Sequence, residues 1–191
     1  MGEIERLLPG TKVSDWSATA IAANPGTTFV ATAGYFGGGY NAGFVATVDR
    51  FAFSDDSRTT LGTGLSAATE VPAGMANSGT AGYFGGGQAA STAATVNRFA
   101  FSDDSRTTLG TGLSAARQKL AAMANSGTAG YFGGGLNTSS ANVTTVDKFA
   151  FSNDGRTTLG TGLSAATRQL GAMANSGTAG YFGGGYVTGN V

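Results

Sequence analysis

Polar and apolar positions alternate along "TVDRFAF", where Asp49, Phe51 and Phe53 interleave with Val48, Arg50 and Ala52. A period of two predicts a half-buried strand, and the "SDDS" that follows supplies Asx-type turn residues. Next comes "RTTLGTGL", with Leu61 and Leu65 on one face and threonines raising strand propensity. The residues "AMA" and "AGYF" flank the turn "NSGT" and predict a second hairpin. Four short strands therefore make one unit.

The pattern recurs. "MANSGTAGYFGGG" stands verbatim at Met75, Met123 and Met173, and the glycine of "AGYFGGG" falls at Gly34, Gly82, Gly130 and Gly180, spacings of 48, 48 and 50. A second block, "RTTLGTGLSAA", begins at Arg58, Arg106 and Arg156. A period near 50 residues is the mark of stacked supersecondary units. The stretch "SAARQKLAAMANSG" from Ser114 also fits a helix with a Ser cap, but its first copy carries Pro72 and Gly74. Those two would cost about 3 to 4 kcal/mol inside a helix. Near-identical copies share one local structure, so an extended crossing segment is expected in every unit.

The ends divide one unit between them. "IERLLPGTKVSDWSATA" aligns with a shortened third and fourth strand: Ile4, Glu5, Arg6 and Leu7 fall on Val48, Asp49, Arg50 and Phe51, and Ser17 answers Ser66. The carboxyl end, "QLGAMANSGTAGYFGGG" and its last residues to Val191, supplies a first and second strand. One domain over 1–191 is expected, with an amino-terminal half-unit at 1–20, repeats at about 21–69, 70–117 and 118–167, and a carboxyl-terminal half-unit at 168–191. Joining the halves removes an open sheet edge. The same joining between neighbouring chains is the alternative.

These residues resemble kelch repeats: a second strand ending in "YFGGG", a third of "VDRFAF" type, and "SAAR" at Ser114 to Arg117 leading into the next unit. The resemblance implies an all-β fold, a β-propeller of about four four-stranded blades closed by pairing of the two half-blades. The kelch pattern carries Trp in the fourth strand, where this chain has Leu61, Leu109 and Leu159; Trp16 stands near that place in the amino-terminal half-unit. The turn "SNDGRTT" at Ser152 is similar to the Asp-box of sialidase-like propellers but one residue short, so it implies no Asp-box role. Gly- and Ala-rich near-identical repeats also resemble those in structural proteins of marine phages. That likeness implies a virion or extracellular surface location.

Composition narrows the chemistry. Of 191 residues 33 are glycine, and neither histidine nor cysteine occurs, which removes the commonest general base, imidazole and thiolate metal ligands, and Ser-His or Cys-His nucleophiles. Eleven basic residues balance eleven acidic ones, so no field steers nucleic acid or a membrane surface. Lacking a secretory leader pattern and any long apolar run, the chain is expected to begin near Met1 and to be soluble. "GTGLSA" at Gly62, Gly110 and Gly160 satisfies the dinucleotide fingerprint in form only, because no helix follows to meet a pyrophosphate. No cofactor and no metal are expected. Asp55 and Asp56, with Asp103 and Asp104, read as turn caps paired with Arg58, Arg106 and Arg156 rather than as a calcium site. One member of each Tyr-Phe pair, at Tyr35, Tyr83, Tyr131 and Tyr181, is expected to be buried between units.

Where the copies differ is the remaining clue. They vary in the loop after the triple glycine, from Tyr40, Gln88, Leu136 and Tyr186, and in the crossing between units, from Thr69, Arg117 and Thr167. In an up-and-down blade those two places share one end, so all variation is expected on one face, with "NSGT" and "SDDS" on the other. The candidate contact residues are Tyr40, Asn41, Gln88, Arg117, Lys119, Asn137, Asn142, Arg168 and Tyr186. A non-enzymatic structural or receptor-binding module is expected, touching other virion proteins or a cell-surface glycan. A carbohydrate-binding lectin is the alternative, and a carboxylate-based glycosidase, needing two acids about 5 to 9.5 Å apart, a weaker one.

Overall fold

The computed structural model describes residues 32–187. No helix occurs among them, and the chain runs as short antiparallel strands. Unit 1 holds β1 (Ala33–Gly37), β2 (Val48–Ala52) and β3 (Arg58–Thr60) in that order. Unit 2 is a complete four-stranded meander of β4 (Ala73–Asn77), β5 (Ala81–Gly85), β6 (Val96–Ala100) and β7 (Arg106–Thr108). After β8 (Arg117–Gln118), unit 3 repeats it with β9 (Ala121–Asn125), β10 (Ala129–Gly133), β12 (Val146–Ala150) and β13 (Gly155–Thr158), β11 (Leu136–Asn137) lying in its loop. After β14 (Thr167–Arg168) come β15 (Gly171–Asn175), β16 (Ala179–Gly183) and β17 (Tyr186–Val187); β15 and β16 pair as the two-stranded sheet of unit 4. The fold is all-β, and the expected strand order within a unit is the observed one. The half-unit expected at 1–20, with Trp16, lies outside the described residues.

The "SAARQKL" segment is extended and its Arg117–Gln118 pairs with Leu136–Asn137, as Pro72 in the sister copy requires. Fourth strands are shorter than "RTTLGTGL" suggests. After Thr60 the chain turns inward, where the Leu61 N–H bonds the Val48 carbonyl at 2.9 Å and the Leu65 N–H bonds that of Ala46 at 2.7 Å. That detour exchanges two exposed ladder positions for buried leucine.

Successive units pack face to face through the same contacts each time. Phe132 of unit 3 is 0% exposed and lies over Gly85 of unit 2, where an added Cβ would come within 2.7 Å of the ring. Phe84 covers Gly37 and Phe182 covers Gly133 in the same way. The Tyr83 ring stacks on Phe151 of the next unit at 5.3 Å, and Tyr35 on Phe101 at 5.0 Å. Met75 lies against Gly130, and Met123 against Gly180. At the "NSGT" turns, Asn77 Oδ1 accepts the Gly127 N–H of the following unit at 2.7 Å, and Asn125 Oδ1 that of Gly177, also at 2.7 Å. Each invariant residue thus meets an invariant residue one repeat later.

The triple glycine divides its work. Gly85 leaves room for the next unit's phenylalanine; Gly86, at φ +67, makes a left-handed bend that only glycine adopts freely, and it points Gly87 N–H at the Arg117 carbonyl, 2.9 Å away. In unit 2 both members of the Tyr-Phe pair are buried and in unit 3 Phe132 is, whereas neither member is buried in units 1 and 4, where Phe36 and Tyr181 are exposed.

The turn aspartates meet the capping expectation only in the first of each pair. Asp55 and Asp103 cap their own turns, accepting the Ser57 and Ser105 N–H groups at 3.0 Å, and the hydroxyls of those serines first, then their N–H groups, hold both carboxyls below the ordinary range. Asn153 caps the third turn in the same way, and the aspartate that follows the cap in the second and third turns reaches across to the preceding unit: Asp104 accepts the Tyr35 hydroxyl at 2.6 Å and Asp154 that of Tyr83 at 2.8 Å. Nor do the "RTT" arginines pair with the turns. Arg58 bonds Asp49 at 3.2 Å and Arg156 approaches Asp147 at 3.6 Å, both on the adjacent third strand, because strand pairing sets each aspartate opposite the threonine two residues after the arginine, a diagonal the long side chain spans. In unit 2 neutral Asn97 stands at the aspartate's position opposite Thr108, and the Arg106 Nε and one terminal nitrogen are buried without a hydrogen-bond partner.

Burial, and then the bond to Asp154, push the Tyr83 hydroxyl up to about 12. A raised value means the folded state holds the proton more tightly. The stability it contributes is therefore complete below about 10, the ordinary tyrosine value, and is lost as pH rises through about 12. Absorbance titration at 295 nm should show a late tyrosine transition that Tyr83→Phe removes; one common transition near 10 for all tyrosines would contradict the contact.

Candidate interaction face

In a meander, alternate connections lie at opposite ends of the sheet. The first-to-second and third-to-fourth turns, "NSGT" and "SDDS" with its sister "SNDG", occupy one end, and the variable loops and crossings occupy the other. At that end variable segments pair with each other. Glu70 and Gln88 exchange backbone hydrogen bonds of 2.8 and 2.9 Å, β8 pairs with β11, and β14 pairs with β17. The crossing that enters a unit is thus zipped to that unit's own second-to-third loop.

Side chains link these zipped pairs from one unit to the next. Gln118 Nε2 donates to Gln88 Oε1 at 2.8 Å. Asn142 donates to the Tyr186 carbonyl at 2.9 Å and accepts from Arg168 at 3.2 Å, while the Arg168 guanidinium lies 4.3 Å from the centre of the Tyr186 ring. Asn137 caps its own loop, accepting the Ser139 and Ala141 N–H groups at 3.0 Å. Tyr40 is exposed and meets Phe44 edge to face at 5.9 Å, beside exposed Asn41. Lys119 is half-buried with a left-handed φ of 56°.

Two of the expected contact residues are not at the surface. Asn142 is buried in the bonds just given, and Arg117 is fully buried. Arg117 donates to the carbonyls of Gly134 at 3.0 Å and Thr145 at 2.8 Å, and to Asp147 at 2.5 Å. Asp147 also accepts the Ser114 N–H at 3.0 Å, the Ser114 hydroxyl at 2.9 Å and the Thr158 hydroxyl at 2.7 Å. Burial alone would raise the Asp147 carboxyl; the Ser114, Thr158 and Arg117 groups outweigh it and hold the value below the ordinary range. Comparing the repeats could have located this pair. Where the crossing has Thr69, the facing third strand has Asn97, which accepts the Ser66 N–H at 3.2 Å; where it has Arg117, the third strand has Asp147.

The face that remains open is therefore formed by Tyr40, Asn41, Gln88, Lys119, Asn137, Arg168 and Tyr186. It is aromatic and amide-rich with two cations. Among the described residues no group of three or more carboxylates comes together to hold a metal ion, and no described helix is long and apolar enough to cross a membrane. Comparison with known proteins finds no protein-family model that matches the chain and no curated protein that matches it.

Proposed function

We propose that the chain is a non-enzymatic structural or receptor-binding module whose units are the blades of a propeller, about four to each chain. The half-units at 1–20 and 168–191 join to complete the last blade. One observation carries the functional reading: the segments that differ between repeats pair with one another at one end of an otherwise invariant scaffold. Loops held on a rigid frame are where recognition usually resides. The partner is another virion protein or a cell-surface glycan, in keeping with the resemblance to kelch-type and phage structural repeats. The turn carboxylates support binding rather than hydrolysis, since they are engaged in caps and in bonds to tyrosine at the opposite end.

The exposed Tyr40 and Phe44 rings favour a glycan as partner, because an aromatic face covers the apolar side of a sugar ring. A glycan array with the wild type and Tyr40→Ala/Phe44→Ala tests this. Retained stability with binding reduced about tenfold is the expected result. If the array is blank for the wild type, the glycan reading fails; if binding to virion or host surface protein is also absent, the receptor reading fails with it.

A further inference from the structure

The two ends of the array carry opposite halves of the contact that joins its units. At each of the three internal junctions a phenylalanine covers the preceding unit's glycine; at the first two a second phenylalanine also stacks on the preceding tyrosine and a turn aspartate accepts that tyrosine's hydroxyl. On unit 1 the leading halves are unused: Phe36 is 68% exposed, Phe53 is exposed, and Asp56 occupies the position of Asp104. On unit 4 the trailing halves are unused: a Cβ on Gly183 would meet nothing within 4 Å, Tyr181 is 60% exposed and Met173 is 72% exposed. Among the described residues no hydrogen bond, ion pair or ring contact joins unit 1 to unit 4 of the same chain.

A cavity of about 360 Å³ marks the same end, lined by Met123, Tyr131, Val146, Leu159, Leu163 and Phe182. One repeat earlier the matching residues, Met75, Tyr83, Val96, Leu109, Leu113 and Phe132, enclose Phe149 and Phe151 from the third strand of the following unit. The cavity is therefore the seat of a third strand, and the free edge of β16 is where that strand pairs. Ile4–Leu7 is its sequence match, with Leu7 at the position of Phe149. Ile4 precedes Ala33 by slightly less than Val48 precedes Ala81. Whichever unit 4 receives residues 4–7 thus also receives the exposed face of unit 1, and unit 1 of the same chain does not lie there.

We propose that a second copy of this chain docks head to tail, its residues 4–7 pairing with β16 and filling the cavity while its Phe36 covers Gly183. This rests on the half-unit reading given above and names the partner that completes it. Such an interface uses different patches on the two copies, so rotation closes it into a ring or extends it as a filament.

Two variants test it by native mass spectrometry and thermal unfolding. Phe36→Asp spoils the leading face and Gly183→Leu the trailing face, neither disturbing a contact within the described chain beyond the Phe36–Phe51 edge. Wild type should run at twice 18.9 kDa or more, each variant alone at 18.9 kDa, and their equimolar mixture at two chains and no higher, since only one intact junction then remains. A wild type at 18.9 kDa at every concentration overturns the proposal. In that event a Gly183→Leu variant with a lowered melting temperature would mean closure within one chain, keeping the half-unit reading, whereas an unchanged melting temperature would sink that reading too.

Discussion

Replacing Asp147 with asparagine should cost about 3 to 5 kcal/mol, the usual penalty when a buried ion pair loses one partner and its mate stays charged. Arg117 and Asp147 are fully buried, and the 2.5 Å contact between them is the only carboxylate contact Arg117 makes among the described residues. The amide would keep the shape but offers one acceptor oxygen where the carboxylate offers two, so Arg117 loses its counter-charge and the Ser114 and Thr158 donors, which bond different oxygens of Asp147, can no longer both be satisfied as they are. What makes the experiment informative is that the chain already contains the neutral solution. Thr69 and Asn97 occupy the same two positions one repeat earlier, with Ser66 N–H on the amide oxygen. The double variant Arg117→Thr/Asp147→Asn should therefore recover most of the lost stability, to within about 1 to 2 kcal/mol of wild type. Chemical denaturation of the single and double variants checks it, and additive losses would contradict the coupling. The depressed Asp147 carboxyl predicts the pH dependence. Its contribution is complete above the ordinary carboxylate value of about 3.9 and is lost as pH falls through the lower folded value, so the wild type, but not the double variant, should lose this contribution at the acid end.

The second large effect contrasts two phenylalanines that the sequence cannot tell apart. Phe132→Ala should cost about 3 to 5 kcal/mol, since the ring is wholly buried between Gly85 and Phe149, which it meets edge to face at 5.7 Å. Phe36→Ala, the same letter of the same repeat, should cost under about 1 kcal/mol in the isolated chain, because its outer face has no neighbouring unit. Urea unfolding at low protein concentration measures both. Equal losses would mean that unit 1 is covered by part of its own chain.

Much of this architecture was legible in the letters. The strand order followed from alternation in "TVDRFAF", the turn chemistry of "NSGT", and Pro72, which excluded a helix from a segment whose sister copies allow one. The gathering of variable segments at one end followed from the meander alone. What the letters hid were partners one repeat away. Asp104 and Asp154 look like second turn caps, yet the left-handed φ of 57° and 55° swings them toward the tyrosine of the preceding unit. Arg58 looks like the natural mate of the adjacent "SDDS" until strand register places Asp49 opposite Thr60, within its reach. Arg117 reads as a surface cation because a charged residue in a variable segment usually is one. Only the covariation of Thr69 with Asn97 and Arg117 with Asp147 signals that position as interior.

The invariance of "MANSGTAGYFGGG" has a physical source in the same contacts. Methionine meets glycine, asparagine meets a turn amide, and phenylalanine meets glycine, always between one copy and the next. A change in one repeat must fit two neighbours at once, so the block is held fixed while the paired loops at the far end are free to differ.

That zipping of loop to crossing is the foundation of the one-sided face, and it can be read from a single bond. The protein has no cysteine, so Glu70→Cys/Gln88→Cys places the only two thiols at a hydrogen-bonded antiparallel pair, whose Cα separation of about 5.5 Å suits a disulfide. Under mild oxidation the pair should close quantitatively with the fold intact. Free thiols in the oxidised, folded protein would show that the variable segments do not lie together.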